Sequence, residues 1–377
     1  MHYYGTYAIA RCAGVREDIA VAVATASEYV DDSDYVDVRL GDGEHVQGNP
    51  TAHHPMDGHN LLFVDQRQTW IPFHFIPGNQ GDSTFERLQC QIDSPIAREM
   101  VSRNVELGNE SYGIVLLGIT AHVYADTFAH YGFSGITSME NHVLPGSIEL
   151  DVPDEVKEAM RRRENEFIER YIKNRAPGLV RKSDTAAAAA DWLSGLGHAG
   201  AATYPDQPFL RWRFKYKRNG KQTPWRDNQS SFLLACQRLY EMFESFHKVT
   251  ESAYLDESQK RPFGEIQGAI RNILGTIGEV DVRIEAWQRS VVKGELYRNP
   301  GNAPIPRYDM SSYERDRNLL ATMEPAKAKR TEVYDFIRAA NSHRSFVNDT
   351  LLPRHKFEVS STFFASLTET VRDWLNV

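Results

Sequence analysis

The segment from Ile114 to His130 constrains this chain more than any other. Ile114, Val115, Leu116, Leu117, Ile119, Val123 and Phe128 make it strongly apolar, yet His122, Asp126 and His130 interrupt it at intervals of four and four. The pattern predicts a helix over about Glu110 to Tyr131. Four helical residues turn about 400°, so the three polar side chains share roughly 80° of one face. A row of imidazole, carboxylate and imidazole is therefore expected inside the protein, where an unpaired charge is costly. The plain alternative is a buried polar network. The sharper reading is metal binding, which satisfies all three groups at once. His122 and His130 lie about 12 Å apart along the axis, too far to share one ion. Asp126, midway, is then expected to bridge two ions, each served by a different histidine.

The remaining chain reads as mainly α-helical. Helices are expected over about Arg16–Tyr29, Pro95–Leu107, Asp154–Asn174, Asp184–Gly195, Asp227–Ser252, Phe263–Ile277, Val280–Glu295, Ala326–Asn341 and Ser360–Leu375, after a short amphipathic segment from His2 to Gly14. The Ala186–Ala190 run adds helix propensity to one of them. Glycine and proline break the pattern from about Val36 to Gly81, which reads as a long loop with β-like pieces at Tyr35–Leu40 and Trp70–Ile76. Arg211–Arg218 alternates basic and aromatic residues and runs into Asn219-Gly220, which predicts a hairpin with a type I′ turn, rings inward and cations outward. Three parts follow: a metal-binding, catalytic-type helical domain over 1–210, the basic hairpin over 211–226, and a helical region over 227–377 packed on it.

Composition removes several functions. With 41% hydrophobic residues and no apolar run of about 20, a globular chain without a membrane span is expected. The net charge of −8 argues against a stable nucleic-acid partner. Cys12, Cys90 and Cys236 form no CxxC pair, and the first residues lack a basic, then apolar, leader, so a reducing, cytoplasmic setting is expected. No phosphate-binding glycine loop, serine-hydrolase elbow or HExxH helix is present.

Further candidate ligands stand elsewhere. His2 sits in an aromatic segment; Asp31 and Asp32 close the second helix, where acids oppose the helix dipole. His74 lies in the rigid, apolar Trp70–Gly78 segment, and His198 and Asp206 in a Gly/Pro-rich loop before the hairpin. His53, His54, His59 and His142 are read as loop residues near the site, and His45, His247, His343 and His355 as surface or helix-face residues. Imidazole and carboxylate without thiolate suit zinc, with manganese, iron and nickel as alternatives.

This ligand order resembles the zinc-dependent phospholipase C and S1/P1 nuclease superfamily of all-α, multinuclear zinc enzymes. The resemblance covers roughly residues 1–210. It implies that Asp31 or Asp32 matches the bridging aspartate, and that His74, His122, Asp126, His130, His198, Asp206 and His2 match the other ligands, around two or three ions. The His2-Tyr-Tyr start, Tyr29–Asp32 and Ala129–Phe133 are also similar to a bacterial family of unknown function. The expected function is a metal-dependent hydrolase of phosphoester bonds acting on a small anionic substrate, with Asp31, Asp32 and Asp126 as catalytic carboxylates. A structural metal in an interaction module, or an amide hydrolase or di-iron enzyme, are the alternatives.

Overall fold

Small side chains give the chain two opening helices, α1 (Tyr4–Cys12) and α2 (Glu17–Asp32); Glu17 and Asp18 favour the start of α2 through the helix dipole. The structure is a computed structural model that describes residues 1–34, 36–53, 63–167, 195–250, 252–298 and 304–357. A short antiparallel pair, β1 (Val38–Arg39) with β2 (His45–Val46), follows. Next come α3 (Phe63–Gln68), α4 (Trp70–Phe73), α5 (Thr84–Leu88), α6 (Pro95–Glu106) and α7 (Gly113–Ala129). Helix α6 starts where sequence logic places it: Ser94 caps the Ala97 N–H at 3.1 Å and Pro95 takes the first turn.

Helix α7 is the centre of the molecule. A helix apolar on every side must be buried on every side, and all of α7 except Ile114 is buried. It packs mainly against α2, and also against α6 and two later helices, α9 (Asn228–Phe246) and α14 (Glu332–Phe346). Gly118 allows the α2 contact. A Cβ there would lie 2.3 Å from the Val23 carbonyl oxygen and 2.7 Å from the Ala26 Cβ.

The intervening elements are β3 (Glu149–Leu150), α8 (Asp154–Phe167), β4 (Arg211–Arg213) and β5 (Arg226–Asp227). Helices α10 (Phe263–Leu274), α11 (Val280–Val292), α12 (Ser312–Leu320) and α13 (Pro325–Ala328) lie between α9 and α14. The main core joins Ile9, Val23 and Leu117 of the first half with Phe243, Ile270 and Phe336 of the second. A smaller core under the sheet contains Phe133, Trp212 and Phe214.

Several expectations need correction. Trp70–Phe73 is helical rather than β-like: Pro72 sits in a first turn, where its missing N–H costs nothing. The hairpin is part of a three-stranded antiparallel sheet ordered β3-β4-β5, with Leu150 opposite Trp212 and Trp212 opposite Arg226. Its tip is a longer loop closed by Lys215 and Gln222, because only Gly220 of the Asn219-Gly220 pair has positive φ. Trp212 and Phe214 do face inward. The single helix expected over 326–341 is two, divided where the Thr331 side chain caps α14. Helix α12 has no counterpart among the helices expected from periodicity. His343, expected on a surface or helix face, is fully buried. The helices expected over 184–195 and 360–375, the end of that over 154–174, and His54 and His59 lie outside the described residues.

Candidate metal centre

Helix α7 carries His122 and Asp126 on one face, and His130 is its C-terminal cap rather than a residue of its last turn. Arg226, buried at the sheet edge, donates to the carbonyls of Ala129 (2.7 Å) and Tyr131 (2.6 Å) and lies 3.6 Å over the Tyr131 ring. That cation satisfies orphan carbonyls at the negative end of α7 and so fixes His130. The last turn of α2 supplies Asp31, and the residue after α4 is His74. The loop bearing His198 and Asp206 is held by Asn228, whose Nδ2 donates to the carbonyls of Tyr204 (2.8 Å) and Gln207 (2.9 Å). Trp212 in turn donates to Asn228 Oδ1.

Each of four histidines spends one ring N–H on a backbone carbonyl. His122 Nδ1 donates to Ser27 (2.7 Å), His74 Nε2 to Thr51 (2.9 Å), His130 Nδ1 to His74 (2.9 Å) and His198 Nδ1 to Ala202 (2.9 Å). This fixes the tautomer and turns the second nitrogen towards carboxylates. His74 Nδ1, His122 Nε2 and Asp126 Oδ2 then form a nearly equilateral triangle with sides of 3.1, 3.3 and 3.3 Å. Asp31 Oδ1 stands 3.9 Å from the His74 nitrogen and 3.8 Å from that of His122. His2 stacks on His122 with ring centres 3.8 Å apart and reaches Asp126 Oδ1 at 3.3 Å.

A second group lies beyond Asp126. His130 Nε2 is 3.3 Å from Asp206 Oδ1, and His198 Nε2 is 3.8 Å from Asp206 Oδ2. Phe75 stacks on His130, and Gly197, at φ +54°, makes room for the Phe75 ring, which a Cβ would meet at 2.4 Å. Ala202, whose carbonyl orients His198, is held at φ +45°, a conformation that L-residues rarely adopt.

Strong fields run through both groups. Burial opposes a charge on His122, but the Asp126 and Asp31 carboxylates outweigh it and raise its pKa to about 9. Burial opposes charge on His130 as well, and Asp126 with Asp206 raises it to about 9. Burial, with the neighbouring imidazolium adding, lowers His2. Burial likewise lowers His198, against the pull of Asp206. Burial would raise Asp126, yet His130 and His122 hold its carboxyl well below the ordinary range.

Eight of the nine candidate residues thus converge: His2, Asp31, His74, His122, Asp126, His130, His198 and Asp206. Asp32 points elsewhere, to the Tyr308 hydroxyl, and burial raises its pKa to about 6. Asp126 Oδ2 is 3.6 Å from His130, but from the nitrogen already committed to a carbonyl. His122 and His130 therefore serve different groups, and the free nitrogen of His130 meets Asp206 rather than Asp126. His53 pairs with Asp65 at 2.9 Å and belongs to neither group. The orienting carbonyls of Ser27, Thr51, His74 and Ala202 have no sequence signal, since every residue has one. Arg226 was legible only as part of a basic hairpin.

All of these converging residues except His122 line a cavity of about 450 Å³, completed by apolar groups such as Trp70, Phe75 and Phe232. Among curated proteins and solved structures, none matches this chain. A family model does, over residues 1–351, a span that includes both histidine groups and every element that orients them; the chain belongs to this family of unknown function (DUF6765).

Proposed function

We propose that this protein is a metal-dependent hydrolase of phosphoester bonds with a multinuclear centre. The observation that carries the reading is the tautomer lock on four histidines. With one nitrogen committed to a carbonyl, the second nitrogens of His74 and His122 face each other at 3.3 Å beside Asp126 Oδ2, an arrangement that needs a proton or a cation between them, and a metal ion would take the proton's place. A tetrahedral ion with bonds of about 2.0–2.1 Å has ligands about 3.3–3.4 Å apart. The His74, His122 and Asp126 triangle has those dimensions.

The donors fit zinc, and manganese, iron or nickel accept the same types. His74, His122 and Asp126 would hold one ion, with Asp31 beside them, and His130, His198 and Asp206 a second. Three protein ligands leave a position for substrate, the pattern of catalytic rather than closed structural sites. Ions bound there would supply Lewis acidity and a lowered pKa for water, and paired sites suit phosphoryl oxygens. Asp31, whose side chain is 47% exposed and lines the cavity, would orient water and accept its proton. Asp126 joins the first group to His2. Asp32, bonded to Tyr308, would only support the end of α2. The ligand order supports a likeness to the phospholipase C and S1/P1 nuclease superfamily.

Elemental analysis of the purified protein tests this directly. About two zinc or manganese ions per chain are expected, with His130→Ala losing one and Asp126→Asn losing the other. The loaded protein should hydrolyse members of a 4-nitrophenyl phosphate mono- and diester panel, and His122→Ala should lower that rate at least about a hundredfold. Full metal content in Asp126→Asn, or a loaded protein that leaves the whole panel intact, would sink the reading.

A further inference from the structure

Beside the histidine-lined cavity lies a second chamber of about 440 Å³, and Met1, Asp206 and Phe232 contribute to both walls. Its apolar wall combines Tyr3 and Tyr4 at the start of the chain with Leu274 of α10 and Ile284 and Trp287 of α11. Arg283 also lines it. The Arg283 Nε is buried and has no hydrogen-bond partner among the described residues. The Arg283 side chain has no hydrogen bond or ion pair with a described residue, and an anionic group in the chamber it lines would supply its guanidinium with an acceptor. Arg307, exposed, is a second cation on the wall.

The rim is apolar. Val280 is 57% and Met310 83% exposed, and both line the chamber, while exposed Ile277 and Val282 flank the start of α11. Exposed large apolar residues gathered at one mouth mark a binding surface rather than random scatter. Three acids also line the chamber: Glu28, Asp206 and Asp281. Asp206 is turned to His130 and His198, Asp281 is exposed, and burial pushes Glu28 up to about 7. None of the three meets the Arg283 Nε.

We propose that this chamber binds a small amphipathic anion, with its apolar body against Leu274, Ile284 and Trp287 and its anionic group on Arg283. Its use as a substrate subsite beside the metal centre rests on the hydrolase reading; its capacity to bind does not. Fluorescence titration with 8-anilinonaphthalene-1-sulfonate tests it, on protein as purified and after EDTA treatment. Arg283→Gln should weaken binding at least about tenfold, the loss expected for one charged hydrogen bond. Val280→Asp, at an exposed rim position where folding is insensitive, should weaken it too by placing a carboxylate beside the sulfonate. Neutral N-phenyl-1-naphthylamine, the same rings without the anion, should change by less than about twofold in Arg283→Gln. Thermal melting checks that both variants are folded. Equal affinity for the sulfonate in wild type and both variants, or an equal loss for the neutral probe, overturns the proposal. Arg283-dependent binding that survives EDTA upholds it even if no phosphoester is ever cleaved.

Discussion

His343 shows how much a single buried ring can decide. Its Nε2 donates to the Pro72 carbonyl at 2.7 Å and its Nδ1 accepts from Asn104 at 3.1 Å, which needs the neutral form. Burial lowers its pKa to about 4, while the unfolded chain titrates near the ordinary value of 6.5. Between those values the unfolded state binds the extra proton, so stability is full above about pH 6.5 and falls as pH drops towards 4. The loss from this residue is on the order of 3 kcal/mol. Thermal melts from pH 7.5 to 4.5 should show that slope, and His343→Gln, which can donate and accept in the same places, should flatten it. An unchanged slope in the variant would assign acid sensitivity to other groups. The same logic of one nitrogen committed and one directed governs the four site histidines, except that their second nitrogens face carboxylates.

At the scale of elements, the α2–α7 contact is the foundation of the site. Gly118 lets the two backbones touch, and Ser27, whose carbonyl orients His122, lies in the contacted turn, with its N–H 3.1 Å from a Cβ at 118. Gly118→Ala should therefore cost about 1–3 kcal/mol by overpacking. It should also lower metal content at the first group, because α2 must move away and take Ser27 and Asp31 with it. Chemical denaturation with elemental analysis separates the two effects; a destabilised variant with full metal content would show that the contact supports the fold alone. Arg226 plays the corresponding part at the other end of α7, where the sheet reaches across to secure the helix terminus.

At the scale of the molecule, the second half of the chain acts as a clamp on the first. Arg344 in α14 donates to the carbonyls of Gln68 (2.8 Å), Asn49 (2.7 Å) and Pro50 (3.0 Å), next to Thr51, which orients His74. Asn348, in the π-helical turn after α14, donates to the Arg67 carbonyl. Arg344→Lys keeps the charge but loses the planar fork, so it should destabilise by at least about 2 kcal/mol and weaken metal retention at the His74 group. Zinc added to stripped wild-type protein should raise the melting temperature, and raise it less in this variant. An equal rise in both would remove Arg344 from the support of the site.

Much of this was legible in the residues. An apolar helix around His122 and Asp126 could only be central and buried, because no face of it tolerates water, and an imidazole–carboxylate row inside it needed partners. His74 stood out for the same reason: a histidine in an apolar, proline-rigid segment. Other features were not legible. Asp31 and Asp32 are adjacent and chemically equal, and only the end of α2 turns one to the histidines and the other to Tyr308. The four-and-four spacing suggested a carboxylate bridging between His122 and His130. In the structure the two histidines do lie in different groups, and packing adds what the spacing could not give: the His74 carbonyl takes the His130 nitrogen nearest Asp126 and leaves the other for Asp206. Local sequence determines which residues are helical and which faces are apolar, since propensity and periodicity act over a few residues. Which lone pair faces which acid depends on carbonyls tens of residues away, and those are placed only when the helices pack.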